Sequence, residues 1–247
     1  MDFQVFIIGS DANAYYMARA CYEEYHKKAH LIAKERLAFT KFSNILTISY
    51  YDNLWEEEDF VRILNTKAEK YEMPILVIST NETYSLLLAN KQKRLAKNFV
   101  YFKQEEKVIK TLMNKEQFYK TYKKSSLCFP ETYYFDVAKD QILPTMKYPM
   151  ILKPANVVLY NHVPFEGKKK IYKIVSEEEL KETIALLKNS PYQDKMILQE
   201  FIPGNDSYLF DSVVYVDRMG KVKVISFAQI GIQERTKSMV GNAAALI

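Results

Sequence analysis

The sequence has little of what staples or metallates a small protein. Its 247 residues include two cysteines, three histidines, one tryptophan and six glycines. Cys21 and Cys128 stand in unrelated contexts, and His26, His30 and His162 form no metal-ligand spacing with each other or with cysteine, which argues against structural zinc. Cys21 follows Met17 and Ala20 in a helical pattern and reads as a small buried hydrophobe. No apolar run approaches the roughly 20 residues that cross a bilayer. The start, Met1-Asp2-Phe3-Gln4-Val5, lacks the basic segment and small-residue cleavage site of a signal peptide. These absences point to a cytoplasmic protein without a membrane span.

Charge of one sign is also scarce. The formal excess is only +5, concentrated in tracts such as Lys91-Gln92-Lys93-Arg94 and Lys168-Lys169-Lys170. The lysines are not interleaved with aromatic residues on one face, so nucleic acid is not an expected partner. Gly9 has no G-x-G-x-x-G companions, which removes a dinucleotide site of the usual kind. With 48% apolar and 26% charged residues, the chain has the balance of a globular protein of one large domain or two small ones.

The first part alternates strands and helices. Phe3 to Ile8 is an apolar run ending at Gly9, with N-cap candidates at Asp11-Ala12-Asn13 and helical spacing over Tyr15, Met17, Ala18, Cys21 and Tyr22. Further strands are expected at His30–Ala33, Ile45–Ser49, Pro74–Ile78 and Phe99–Phe102, with helices at Trp55–Tyr71 and Glu82–Ala89. Such alternation indicates a parallel sheet, whose ligands sit beyond the carboxyl ends of the strands. The tips to watch are Gly9, Ser10, Asp11 and Asn13, and Thr80 with Asn81. They are substrate-binding candidates, although turn and cap roles account for them equally well.

After about residue 104 the texture changes. Helices are expected near Glu105–Met113 and Lys115–Lys124. The strand Met150-Ile151-Leu152-Lys153-Pro154 is followed by a loop to Gly167, a strand at Ile171–Val175 and a helix from Ser176 to Lys188. Ser176 and Glu179 form a capping box. A strand over Met196–Ile202 and a hairpin of Tyr208–Val216 with Val222–Ala228 make this half α+β.

Three elements here carry chemistry. An ammonium at the end of a buried strand is costly unless it meets an anion, so Lys153 is either a point charge for phosphate or a lysine reaching along its stem to water. The segment Ala155–Lys170, with Gly167 and its lysines, could close over a polyphosphate. Gln199-Glu200-Phe201-Ile202-Pro203-Gly204-Asn205-Asp206 reads either as a hinge whose backbone meets a purine edge, or as a plain strand and turn.

In that order, these elements resemble the ATP-grasp superfamily of carboxylate–amine ligases. The resemblance implies a pre-ATP-grasp open parallel sheet over 1–104 and, over 105–247, an α+β ATP-grasp small subdomain with an incomplete second ATP-grasp subdomain. It implies that Lys115 (or Lys120, one turn later), Lys153 and Lys168 meet the phosphates of ATP. It further implies that Gln199–Ile202 hold adenine through the Glu200 carbonyl and the Ile202 amide, with Phe201 between them, and that Asp206 reaches the ribose. Within the superfamily, Ile8–Tyr15 and the tail Gln233–Asn242 are similar to D-aspartate ligases, which attach D-aspartate to a peptidoglycan precursor; carbamoyl-phosphate-synthase-like proteins share the framework. The implied reaction activates a small carboxylate as an acylphosphate for attack by an amine.

Two departures from the family's pattern bear on function. The loop lacks the family's multiple glycines. The expected Mg2+ ligands, an acid and a Glu-x-Asn pair, do not occur before residue 247, where Gly241–Ile247 reads as the entry to a helix. The expectation is therefore a partial ATP-grasp domain with no catalytic or metal residues of its own, weak nucleotide affinity and no turnover. The alternative is a non-catalytic ATP-binding or regulatory module. Either requires Lys153 and the backbone around Phe201 to face one cleft.

Overall fold

The computed structural model describes residues 2–140, 147–233 and 243–247, and the chain divides into two units, Met1–Met113 and Asn114–Ile247. The division falls later than the 104/105 boundary read from the sequence. The helix after residue 104 packs on the helix before it and buries Ile109, so contacts place it with the first unit.

The first unit holds β1 (Gln4–Ile8), α1 (Ala12–Tyr25), β2 (Ala29–Ala33), α2 (Ala38–Lys41), β3 (Leu46–Tyr50), α3 (Glu57–Ala68), β4 (Ile75–Ser79), α4 (Glu82–Lys91), β5 (Phe99–Val100) and α5 (Glu106–Met113). The five strands are parallel in the order β3-β2-β1-β4-β5. Strands buried on both faces need apolar side chains on both, and these have them. Val5, Ile7, Leu31 and Leu46 pack with Ala14, Ala18 and Cys21 of α1. Phe6, Ile8, Ile32 and Val77 pack with Phe60, Leu64 and Leu88 of α3 and α4. The strand order turns between β1 and β4, where open α/β sheets form their ligand crevice.

The second unit holds α6 (Lys115–Tyr122), β6 (Thr132–Asp136), β7 (Met150–Pro154), α7 (Val157–His162), β8 (Tyr172–Ile174), α8 (Glu177–Lys188), β9 (Lys195–Glu200), a 3-10 turn (Asp206–Tyr208), β10 (Phe210–Val216), β11 (Val222–Gln233) and β12 (Ala243–Leu246). One sheet runs β6-β9-β7-β8, all antiparallel, and a second runs β10-β11-β12. Register sorts the first sheet into two faces. Phe135, Met150, Leu152, Met196 and Leu198 point to a core shared with Leu180, Ile184 and Leu187 of α8. The other face carries Thr132, Tyr134, Ile151, Lys153, Lys173, Lys195, Ile197 and Gln199. Ser176 caps α8 as expected, and the Glu179 carboxylate reaches back to the Val175 amide.

Two expectations are corrected. Residues 155–170 are not a continuous loop: the Asn156 side chain accepts from the Leu159 amide and starts α7. Residues 243–246 do not enter a helix. They form β12, antiparallel to β11, because the polar partners an isolated alanine run would need are supplied by the β11 edge. In the second sheet, Val213, Val224, Ile225 and Phe227 are exposed. Among the described residues no helix is long and apolar enough to cross a membrane.

Candidate functional site

In the first unit, the candidate tips meet at the point where the strand order turns. The Thr80 amide donates to the Ile8 carbonyl at 3.1 Å, and the Gly9 amide to the Ile32 carbonyl at 3.0 Å. Gly9 has φ +123, and a Cβ there would lie 2.1 Å from Thr80 Oγ1, so β1 and β4 approach this closely only over glycine. The polar side chains are already engaged. Asp11 Oδ1 caps α1 through the Ala14 amide, and Asp11 Oδ2 accepts from Thr80 Oγ1 at 3.2 Å. Ser10 Oγ donates to the Glu35 carbonyl at 2.7 Å, and Asn81 caps α4. Asn13 lies exposed in the first turn of α1. The geometry thus joins these residues and uses Ser10, Asp11, Thr80 and Asn81 as ties and caps.

The second unit brings the basic and hinge residues onto one face. Lys153 is the penultimate residue of β7, whose register places it opposite Ile197 of β9, while Phe201 directly follows β9. Four positions of extended chain separate Ile197 from Phe201, about 13 Å. Phe201 lies on the same face as Lys153, since Lys173 Nζ, paired across from Ile151, stands 4.1 Å from the Phe201 ring centroid. Lys153 and Phe201 thus share one face of this sheet, near its two ends.

The helix α6 joins this face at its lysine end. The Lys115 amide donates to the Ala155 carbonyl at 2.9 Å, and Asn114 bridges Asn156, so the start of α6 is tied to the end of β7. Lys115 and Lys153 consequently enter the same end of the sheet. Glu116 is buried and anchors the helix, accepting from Lys195 Nζ at 2.8 and 2.9 Å and from Lys120 Nζ at 2.7 Å. Burial pulls the Glu116 carboxyl up, but the bonds from Lys120 and Lys195 outweigh it and hold the group below its ordinary value. Lys120, the alternative to Lys115, is engaged here and also stands 4.9 Å from the Tyr134 ring centroid.

At the other end, the Glu200 amide donates to the Glu131 carbonyl and the Phe201 amide to the Pro149 carbonyl. Backbone direction alternates along a strand. The Glu200 amide accordingly faces β6 and the Phe201 amide faces β7, and Ile202 beyond them is 68% exposed. Gln199 is buried and donates from Nε2 to Thr132 Oγ1 at 2.8 Å.

Two candidates are placed differently from the sequence expectation. Lys168 Nζ donates to the carbonyls of Tyr160 (2.7 Å), Asn161 (3.3 Å) and Val163 (2.9 Å), closing the end of α7. Burial lowers its pKa. Helix-end carbonyls carry partial negative charge, and the nearest long cation takes them. Asp206 accepts from both the amide and the side chain of Gln233, at 3.0 and 3.1 Å, which pins the 3-10 turn to β11. Sequence reasoning missed Tyr119, Thr132, Lys173 and the Glu116–Lys195 pair. Only Tyr119 left a signal, one helical turn after Lys115 on the same face. Of the tail Gln233–Asn242, residues 234–242 lie outside the described residues.

No group of three His, Cys, Asp or Glu able to hold a cation stands together among the described residues. No protein-family model matches the chain. Over its whole length it is 27% identical to the D-aspartate ligase of Enterococcus faecium and spans 61% of that protein. An L-amino acid ligase from Bacillus licheniformis superposes with a TM-score of 0.64 at 15% identity, over 98% of this chain and 53% of that one. The N5-carboxyaminoimidazole synthetase of Staphylococcus aureus, in a structure with ADP, does so at 0.59 and 12% identity, over 97% and 57%. The fold is that of the ATP-grasp ligases.

Proposed function

We propose that the second unit carries the nucleotide end of an ATP-dependent carboxylate–amine ligase, with D-aspartate as the carboxylate and an amine of a peptidoglycan precursor as acceptor. The observation that carries this reading is the entry of Lys115 and Lys153 at one end of the sheet face whose other end is the Gln199–Ile202 edge. ATP supplies the phosphoryl group that makes the carboxylate reactive. The two ammonium groups bind and neutralise its phosphates, since phosphoryl transfer demands positioning and charge compensation more than covalent help. The Glu200 carbonyl and Ile202 amide take the adenine edge. The substrate class draws its support from the D-aspartate ligase relative. The tips at Gly9 and Thr80 are the candidates for substrate contact, through Asn13 and backbone groups, since the polar side chains around them are engaged.

The test is titration of the protein with ATP beside an assay for ATP-dependent coupling of D-aspartate. Saturable ATP binding is expected; its absence would overturn the nucleotide reading. A nucleotide-binding module without turnover is the second reading. ATP binding with no coupled product is its signature.

A further inference from the structure

We infer that Tyr119 is the positioning residue for the Lys153 ammonium, acting from a hydrogen-bonded chain of fixed polarity. The inference rests on the nucleotide reading above and adds a residue to it. Lys153 Nζ donates to Tyr119 Oη at 3.3 Å. An ammonium has no lone pair, so the phenol proton is left to donate elsewhere, and Gln199 Oε1 accepts it at 3.5 Å. The same amide donates from Nε2 to Thr132 Oγ1 at 2.8 Å, and the Thr132 hydroxyl donates to the Pro130 carbonyl at 2.7 Å. Every proton in the chain therefore points from Lys153 toward Pro130. Gln199 is only 3% exposed, so turning its amide over would bury mismatched groups.

The ring that carries the hydroxyl is itself fixed. Phe118 and Phe129 meet it edge-on, with centroids at 5.6 and 5.3 Å, and the Lys153 ammonium stands 5.6 Å from its centroid. A long lysine stem samples many rotamers in water; one rigid acceptor holds it in a single direction. One N–H is committed to Tyr119, and an ammonium has three to offer. Tyr119 also lies one turn after Lys115. A single helix thus supplies one phosphate lysine and aligns the other. No covalent step is involved.

The test is Tyr119→Phe, which keeps the ring and its packing while removing the hydroxyl. ATP and adenosine are titrated by chemical-shift changes, a method that reads weak affinities, on wild type, Tyr119→Phe, Lys153→Met and the double variant. Tyr119→Phe should weaken ATP binding about 5- to 10-fold, the loss expected for one hydrogen bond of ordinary strength, with adenosine binding retained. In the Lys153→Met background the same change should have no further effect on ATP. Unchanged ATP affinity, equal losses for ATP and adenosine, or additivity in the double variant would each overturn the inference while leaving the nucleotide reading intact. Failure of the wild type to bind ATP would remove both.

Discussion

Glu116 receives both of its bonds to Lys195 at under 3 Å, and that pair fastens α6 to β9. Its side chain is 11% exposed against 38% for Lys195. Removing the carboxylate leaves Lys195 and Lys120 without their common partner. Glu116→Gln should destabilise the protein by about 2–3 kcal/mol in urea unfolding. Pairing Glu116→Met with Lys195→Met should restore part of that loss. An unchanged midpoint for the single variant would show that packing alone seats the helix.

The pH dependence of stability has a clear source in the first unit. His30 accepts from Lys67 at 3.1 Å and contacts Ser49 at 3.1 Å; burial first, then Lys67 and Lys70, lower its pKa to about 4. The unfolded chain takes a proton near the ordinary value of 6.5, while the folded chain resists it. Stability is therefore fully present above 6.5 and declines as pH falls from 6.5 toward 4, by roughly 3 kcal/mol at most. His30→Gln should flatten unfolding curves across that window, and an identical acid limb in the variant would contradict the assignment.

Gly9→Ala should cost about 1–3 kcal/mol, because the residue is held at φ +123 with Thr80 Oγ1 where the methyl would stand. Thr80→Ala in the same chain relieves the contact but not the backbone conformation. Thermal unfolding of the single and double variants should show partial recovery only.

Much of the layout was legible in the sequence because burial writes itself into pattern. The apolar run at Val5–Ile8 is a strand covered on both faces, and Ser176 with Glu179 marked a helix start that the hydrogen bonds bear out. Helix α7 was hidden because its cap, Asn156, sits among residues without apolar periodicity. The strand β12 was hidden because Ala243-Ala244-Ala245 favours helix in isolation, and pairing with β11 overrides that preference. At the site, Lys153 was visible as a cation closing an apolar strand. The role of Lys168 was not, since a lysine in a basic tract carries no mark of which carbonyls it will find.

Lys168→Met tests that last placement. It removes the donor to three carbonyls at the end of α7, and a loss of about 1–2 kcal/mol is expected. Amide hydrogen exchange over residues 157–165 should quicken in the variant. No change there would mean that Tyr160 and Tyr172 hold the segment unaided.

The most direct measurement of the central claim is the ATP affinity of Lys153→Met beside that of the wild-type chain. Loss of the strand-end charge should weaken ATP binding about tenfold or more, with the urea midpoint retained and adenosine binding preserved. Equal ATP affinity in the two proteins would contradict the assignment of this sheet face to a nucleotide.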